Sequence, residues 1–230
     1  MAQIRLAIFD FDGVLVDSEY LAARVECERY RQHGLDMEVG EFCARFSGLT
    51  GAAIFREVEA ILGRSLPADL HARIEGELDR VLEREVEAVD GAREVAARIG
   101  VPSCICSNSG SARIAAMLMR AGLGQGFDGP VFSAIELDPP APKPSPEVFR
   151  KALRHFALAP REALVIEDSV HGVRAAAAAG ARVAGFVGGR HTHPGHADRL
   201  TEAGAETVYA RHGELPRLIE AFNRWDGAVN

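Results

Sequence analysis

Short apolar segments that stop abruptly at polar residues alternate along this chain with amphipathic helical stretches, and one long interval breaks that alternation. Apolar residues alternate at Ile4, Leu6 and Ile8, and the run ends in Asp10-Phe11-Asp12-Gly13, which reads as a strand followed at once by a turn. Val101–Cys106, Val131–Ser133, Ala163–Ile166 and Val183–Val187 have the same strand character. Between them the period changes: Ile114, Met117, Leu118 and Ala121 share one helical face, as do Val148, Phe149, Ala152, Leu153 and Phe156. Strands alternating with helices predict an α/β fold, a Rossmann-like parallel sheet covered on both faces.

The interruption lies between Asp17 and Val89, where four helical stretches occur without a strand: Ser18–His33, Val39–Phe46, Gly51–Leu62 and Pro67–Val86. This is too long for a simple crossover and predicts a separate helical unit. The expected division is a core of residues 1–16 and 89–230 with a helical cap domain of residues 17–88 inserted into it. Asp17 and Ala88–Gly91 are the expected hinges. In open parallel sheets ligands bind outside the carboxyl ends of the strands, and the insertion leaves from such an end.

Composition narrows the partners. The formal net charge of −7 speaks against a nucleic-acid binder, whose affinity would rest on cation–phosphate contacts. A small phosphate at one local electropositive site remains open. No apolar run approaches membrane-spanning length, and the N-terminus carries no secretory pattern, so a cytoplasmic protein is expected. Cys104 and Cys106 flank Ile105 in an apolar run and read as strand residues rather than a metal pair. Of 26 basic residues only Lys143 and Lys151 are lysine. In a chain so biased toward arginine, a retained lysine is a candidate for a position where chemistry requires it.

The strand ends carry the chemistry. Asp10 and Asp12 at the mouth of the sheet suit either a divalent cation or a division of roles between nucleophile and proton donor. Ser107-Asn108 follows the second strand, Pro142-Lys143-Pro144-Ser145-Pro146 follows the third, and Glu167-Asp168-Ser169 follows the fourth. Two acidic pairs, a lysine and a hydroxyl facing one crevice match phosphoryl transfer, where cations and N–H groups stabilise charge on the equatorial oxygens.

In these motifs the chain resembles the haloacid dehalogenase superfamily, in its helical-cap branch of β-phosphoglucomutase-like and sugar-phosphate phosphatase-like proteins. The first motif is Asp10-Phe11-Asp12-Gly13-Val14-Leu15-Val16-Asp17-Ser18; Ser107, Lys143 and Glu167-Asp168 supply the others, in order. The resemblance implies that Asp10 is the nucleophile and Asp12 the general acid and base. It implies Mg2+ held by the Asp10 carboxylate, the Asp12 main-chain carbonyl and the Asp168 carboxylate, with Glu167 in support directly or through water. Ser107 and Asn108, with Lys143 and the Phe11–Gly13 turn, would receive the phosphate.

The presence of Asp12 argues against dehalogenation, because a halide leaves without a proton. A sugar phosphomutase is the nearer rival. Ala22 stands where the mutase pattern has a histidine, and Ser47-Gly48-Leu49-Thr50-Gly51 where it has a cap-loop arginine; both departures favour water as acceptor. A binding protein that keeps the site without turnover is the alternative of another class. The expected partner is a small phosphorylated metabolite such as a sugar phosphate or a phosphogluconate-like compound, with the protein a monomer or weak homodimer. Glu19, Arg45, Ser47, Thr50 and Arg56 are the expected cap residues around that substrate. His191, His193 and His196 belong to the loop after the fifth strand, and His171 to packing or capping of a helix.

Overall fold

The computed structural model describes residues 3–46, 49–124, 127 and 129–224. Six parallel strands, β1 (Leu6–Phe9), β2 (Ser103–Ser107), β3 (Val131–Ser133), β4 (Ala163–Glu167), β5 (Arg182–Phe186) and β6 (Thr207–Tyr209), form one sheet in the order β3-β2-β1-β4-β5-β6. The five expected strands are present, and β6 is an addition: three residues long, at the sheet edge and half-buried at two positions, it carries no periodic signal. The order places β1 and β4 at the centre, where successive connections turn in opposite directions. A crevice opens there at the carboxyl ends.

All four residues of β1 and all five of β4 are buried, as a sheet covered on both faces requires. Because side chains alternate along a strand, Ala7, Phe9, Ile105, Leu164 and Ile166 enter one apolar cluster, while Leu6, Ile8, Cys104, Cys106 and Val165 enter the other. The flanking helices are α5 (Ala92–Arg98), α6 (Ser111–Arg120), α7 (Glu147–His155), α8 (Val170–Ala178), α9 (His196–Ala203) and α10 (Leu215–Arg224). Cys104 and Cys106 are buried free thiols, as the strand reading of that segment expects.

Four helices, α1 (Ser18–Gln32), α2 (Val39–Phe46), α3 (Gly51–Leu62) and α4 (Leu70–Glu85), lie between β1 and α5. They enclose their own apolar cluster, with Tyr30, Phe42, Val58 and Ile74 at its centre. Thr50 starts α3 by accepting a hydrogen bond from Ala53 N, and Gly63 ends it in the left-handed conformation, a cap pair that sets both ends. The two connections to the sheet run side by side. Asp17 N donates to Glu87 O at 3.0 Å and Val89 N to Leu15 O at 3.0 Å. No helix among the described residues is long and apolar enough to cross a membrane.

Candidate active site

Strand β1 delivers Asp10, whose N–H still donates to Ile166 O at 2.9 Å and so is fixed to β4. Opposite it, Lys143 Nζ donates to Asp10 Oδ1 at 2.6 Å, Glu167 Oε1 at 2.6 Å and Cys106 O at 2.7 Å. All three ammonium protons are used, in a site where the lysine side chain is 3% exposed. Glu167 is likewise committed on both oxygens, Oε2 accepting from Ser169 N at 3.0 Å and Ser169 Oγ at 2.9 Å. Asn108 Oδ1 accepts from Lys143 N at 2.8 Å, which ties the loop bearing the lysine to the end of β2.

The charges here are crowded. Burial and then the Glu167 charge push both Asp10 and Asp168 well above the usual carboxylate range, with Lys143 opposing the rise. Burial works against the Lys143 ammonium as well, but Asp10 and Glu167 outweigh it and hold it charged. Among the described residues, Asp10, Glu167 and Asp168 form the one group whose ligating atoms, all within 4.8 Å of each other, could hold a metal ion. The donors are hard oxygens, which suit Mg2+. Lys143 brings one positive charge to Asp10 and Glu167 against three carboxylates, and a divalent cation would neutralise the remainder. The residues fit the ion.

Asp12 leans toward the inserted helices. Its Oδ1 accepts from Ser18 Oγ of α1 at 2.7 Å, and its Oδ2 accepts from Ser107 Oγ at 3.1 Å and Ser109 Oγ at 2.7 Å. One carboxylate thus joins the first helix of the insertion to the end of β2. Phe11 between the two aspartates is fully buried in the apolar core, leaving its backbone alone to meet a ligand. Gly13 has φ +76°, and a Cβ there would overlap Asp168 Oδ2 and come within 2.8 Å of His191 Cε1. Its N–H donates to Val16 O at 2.8 Å, so the glycine supplies the turn and the clearance.

A cleft of about 680 Å³ opens over these groups, lined from the sheet by Asp10, Asp12, Ser107, Asn108, Lys143 and Asp168 and from the helices by Glu19, Ala22, Thr50 and Glu75. Burial, and then the Asp168 charge, pushes Glu19 up to about 7. Arg45 and Arg56 do not line it. Both are exposed, and the Arg45 guanidinium lies 5.6 Å from the centre of the Phe46 ring. Ser47 and Gly48 lie outside the described residues. Ala22 faces the cleft with a methyl group and no proton-handling atom.

Several lining residues escape a reading of motifs. Ser109 sits two residues beyond Ser107 on the same turn, and that spacing is the one local sign of its approach to Asp12. His171 lines the cleft with an unpartnered Nδ1. His191 Nε2 lies 2.9 Å from Asp168 Oδ2, and His196 Nε2 donates to Asp168 O at 2.7 Å. No sequence spacing signals those two contacts. Burial lowers the tendency of both histidines to take up a second proton, His196 to about 4.

Comparison with known proteins gives the family. The family model for haloacid dehalogenase-like hydrolases matches residues 4–180. The chain is 25% identical over 227 residues to 6-phosphogluconate phosphatase of Escherichia coli, covering 98% of this chain and 99% of that one. A haloacid dehalogenase-like protein of Agrobacterium tumefaciens has a solved structure that matches with a TM-score of 0.91 at 45% identity, over 95% of this chain and 98% of the other. A further structure, of a HAD family hydrolase from Deinococcus radiodurans with bound phosphate and sodium, matches with a TM-score of 0.85 at 29% identity over 99% and 100% of the two chains.

Proposed function

This chain belongs to the haloacid dehalogenase-like hydrolase family, and we propose that within it the protein is a Mg2+-dependent phosphatase acting on a small phosphate monoester through an aspartyl phosphate on Asp10. The observation that carries the reading is the Asp10–Lys143–Glu167 cluster at the centre of the sheet, with Asp12 beside it. A carboxylate held by an ammonium at 2.6 Å is aimed, and the ammonium charge opposes the rise that burial and Glu167 impose on it, both of which serve a nucleophile.

In the first step an Asp10 carboxylate oxygen attacks phosphorus, the bond from phosphorus to the leaving oxygen breaks, and Asp12 gives that oxygen a proton. In the second, water attacks phosphorus, Asp12 takes a water proton, and the bond to Asp10 breaks to release inorganic phosphate. Ser107 and the Asn108 main-chain N–H meet the phosphoryl oxygens beside the positive charge of Lys143, and Ser18 and Ser109 keep Asp12 directed at the leaving group. Asp10, the main-chain carbonyl of Asp12 and Asp168 would hold Mg2+, with Glu167 acting through Lys143. Bound there, the ion would offset the repulsion between anionic substrate and carboxylates and would stabilise charge on the transferred group.

The inserted helices, residues 17–88, act in this reading as a cap on a core of residues 1–16 and 89–230, and Glu19, Thr50 and Glu75 face the organic part of the substrate. Hydroxyl-bearing carriers such as a sugar phosphate or a phosphogluconate-like compound suit those acceptors. Ala22 at the cleft wall favours water over a second sugar hydroxyl as acceptor, since the first inserted helix carries no imidazole at that position to manage the proton donor. Release of inorganic phosphate from an aryl phosphate, with and without Mg2+, tests the reading. Turnover that requires Mg2+ and disappears in Asp10→Asn supports it; none from the intact protein, or unchanged release from Asp10→Asn, overturns it.

A further inference from the structure

The run His191-Thr192-His193-Pro194-Gly195-His196 looks like a transition-metal site in sequence, and its geometry is different. His193 Nδ1 donates to Pro194 O at 2.9 Å, and its ring stacks on His196 at 5.0 Å and 16°. The other two histidines both reach Asp168. We infer that His191 is a positioning residue that orients the Asp168 carboxylate for the divalent cation, with His196 fixing the main chain of the same aspartate. This rests on the reading above only in taking Asp168 as a ligand of Mg2+.

The slot for the His191 ring is built. His191 is 4% exposed, and its ring packs against two glycines. A Cβ on Gly13 would stand 2.8 Å from His191 Cε1, and a Cβ on Gly189 would stand 2.7 Å from both Cε1 and Nδ1. Neither clearance exists with any other residue. Within that slot Nε2 is directed at Asp168 Oδ2 at 2.9 Å. An ionised carboxylate only accepts, so the imidazole must carry its proton on Nε2 to make this bond. The Nδ1 atom has no partner, so no second contact competes for the tautomer.

His196 completes the arrangement from the first turn of α9. A main-chain carbonyl only accepts, so its Nε2 carries the proton donated to Asp168 O, while Nδ1 lies 3.4 Å from Thr192 Oγ1. With one carboxylate oxygen held by His191 and the carbonyl by His196, the remaining oxygen of Asp168 has one direction to face. Two neutral donors accomplish this without adding a positive charge beside the cation, which a lysine or arginine would do. Partners that hydrogen-bond ligating groups set metal affinity by about 10–100-fold.

Isothermal titration calorimetry of Mg2+ into metal-free protein tests this on the wild type, His191→Phe and His191→Gln. The phenyl ring fills the slot without a donor, and the glutamine amide restores a donor near the Nε2 position. The expected result is a Mg2+ Kd raised about 10–100-fold in His191→Phe and largely recovered in His191→Gln, at an unchanged melting temperature in chelator. Equal Mg2+ affinity in His191→Phe and wild type overturns the inference and leaves the phosphatase reading standing. A wild type that binds no Mg2+ overturns the metal-dependent reading, and this inference with it. Imidazole 15N NMR of the wild type decides the matter independently of how any variant folds: the Nε2–H tautomer at His191 supports the inference, and the Nδ1–H tautomer overturns it.

Discussion

Lys143 shows how much one residue determines. Its ammonium makes three hydrogen bonds of 2.6–2.7 Å, to two carboxylates and a carbonyl, in a space closed to solvent. An arginine is longer, planar and forked, and cannot direct its donors at three converging acceptors around one nitrogen. Lys143→Arg therefore displaces Asp10 or Glu167, and phosphate release falls by about 10²-fold or more, the effect of a misplacement near 1 Å. Lys151 is exposed on α7, and Lys151→Arg is expected to match the wild type in the same assay. Lys143 was legible from its rarity and its place after a strand. The contacts of His191 with Asp168 were not, because they depend on how a loop folds across the strand ends, and neither periodicity nor motif spacing encodes that path.

At the level of elements, the alternation of apolar segments with amphipathic helices identified five strands and all four inserted helices. Buried strands and periodic helices are written in burial pattern, whereas β6, three residues at an edge, is held in place by its pairing with β5. Helix α8 joins element to chemistry. Its N-cap Ser169 accepts from Gly172 N at 3.0 Å while donating to Glu167, so the first turn of the helix packs on the Glu167 carboxylate. A Cβ on Gly172 would overlap that carboxylate. Gly172→Ala is thus a packing error delivered to Lys143 through Glu167. Thermal denaturation should show a loss of about 1–3 kcal/mol, with kcat falling in parallel; an unchanged melting temperature and rate would mean that α8 does not set the position of Glu167.

Across the whole molecule, the sheet order gathers the candidate groups at the carboxyl ends of the central strands and the inserted helices line the cleft above them, with buried acids at the junction. Glu26 in α1 is buried and is pushed from 4.5 up to about 8, by burial first and the Glu19 charge second. A raised carboxyl contributes its full stability below the unfolded value and loses it as pH rises through the folded one. Glu26→Gln removes that loss, so its stability relative to wild type should grow from pH 4.5 and level off above about 8, reaching on the order of 5 kcal/mol at about 1.4 kcal/mol per pKa unit. Chemical denaturation across this range checks it, and a difference independent of pH would contradict it. His196 works in the opposite direction: lowered from 6.5 to about 4, it removes stability as the solution becomes acidic. Such opposed trends at the two ends of the pH scale depend on which groups the fold buries, and the sequence pattern alone does not indicate that.

The central claim is that Asp10 carries the phosphoryl group between substrate and water. An aryl phosphate with a good leaving group needs little proton donation, so Asp12→Ala should still form the phosphoenzyme while lacking the base that activates water. Quenching that variant after mixing with aryl phosphate and Mg2+, then measuring peptide masses, should find one phosphoryl group on the peptide containing Asp10. A peptide left unmodified, or a phosphoryl group on another residue, while the wild type turns over the same substrate, would contradict the account.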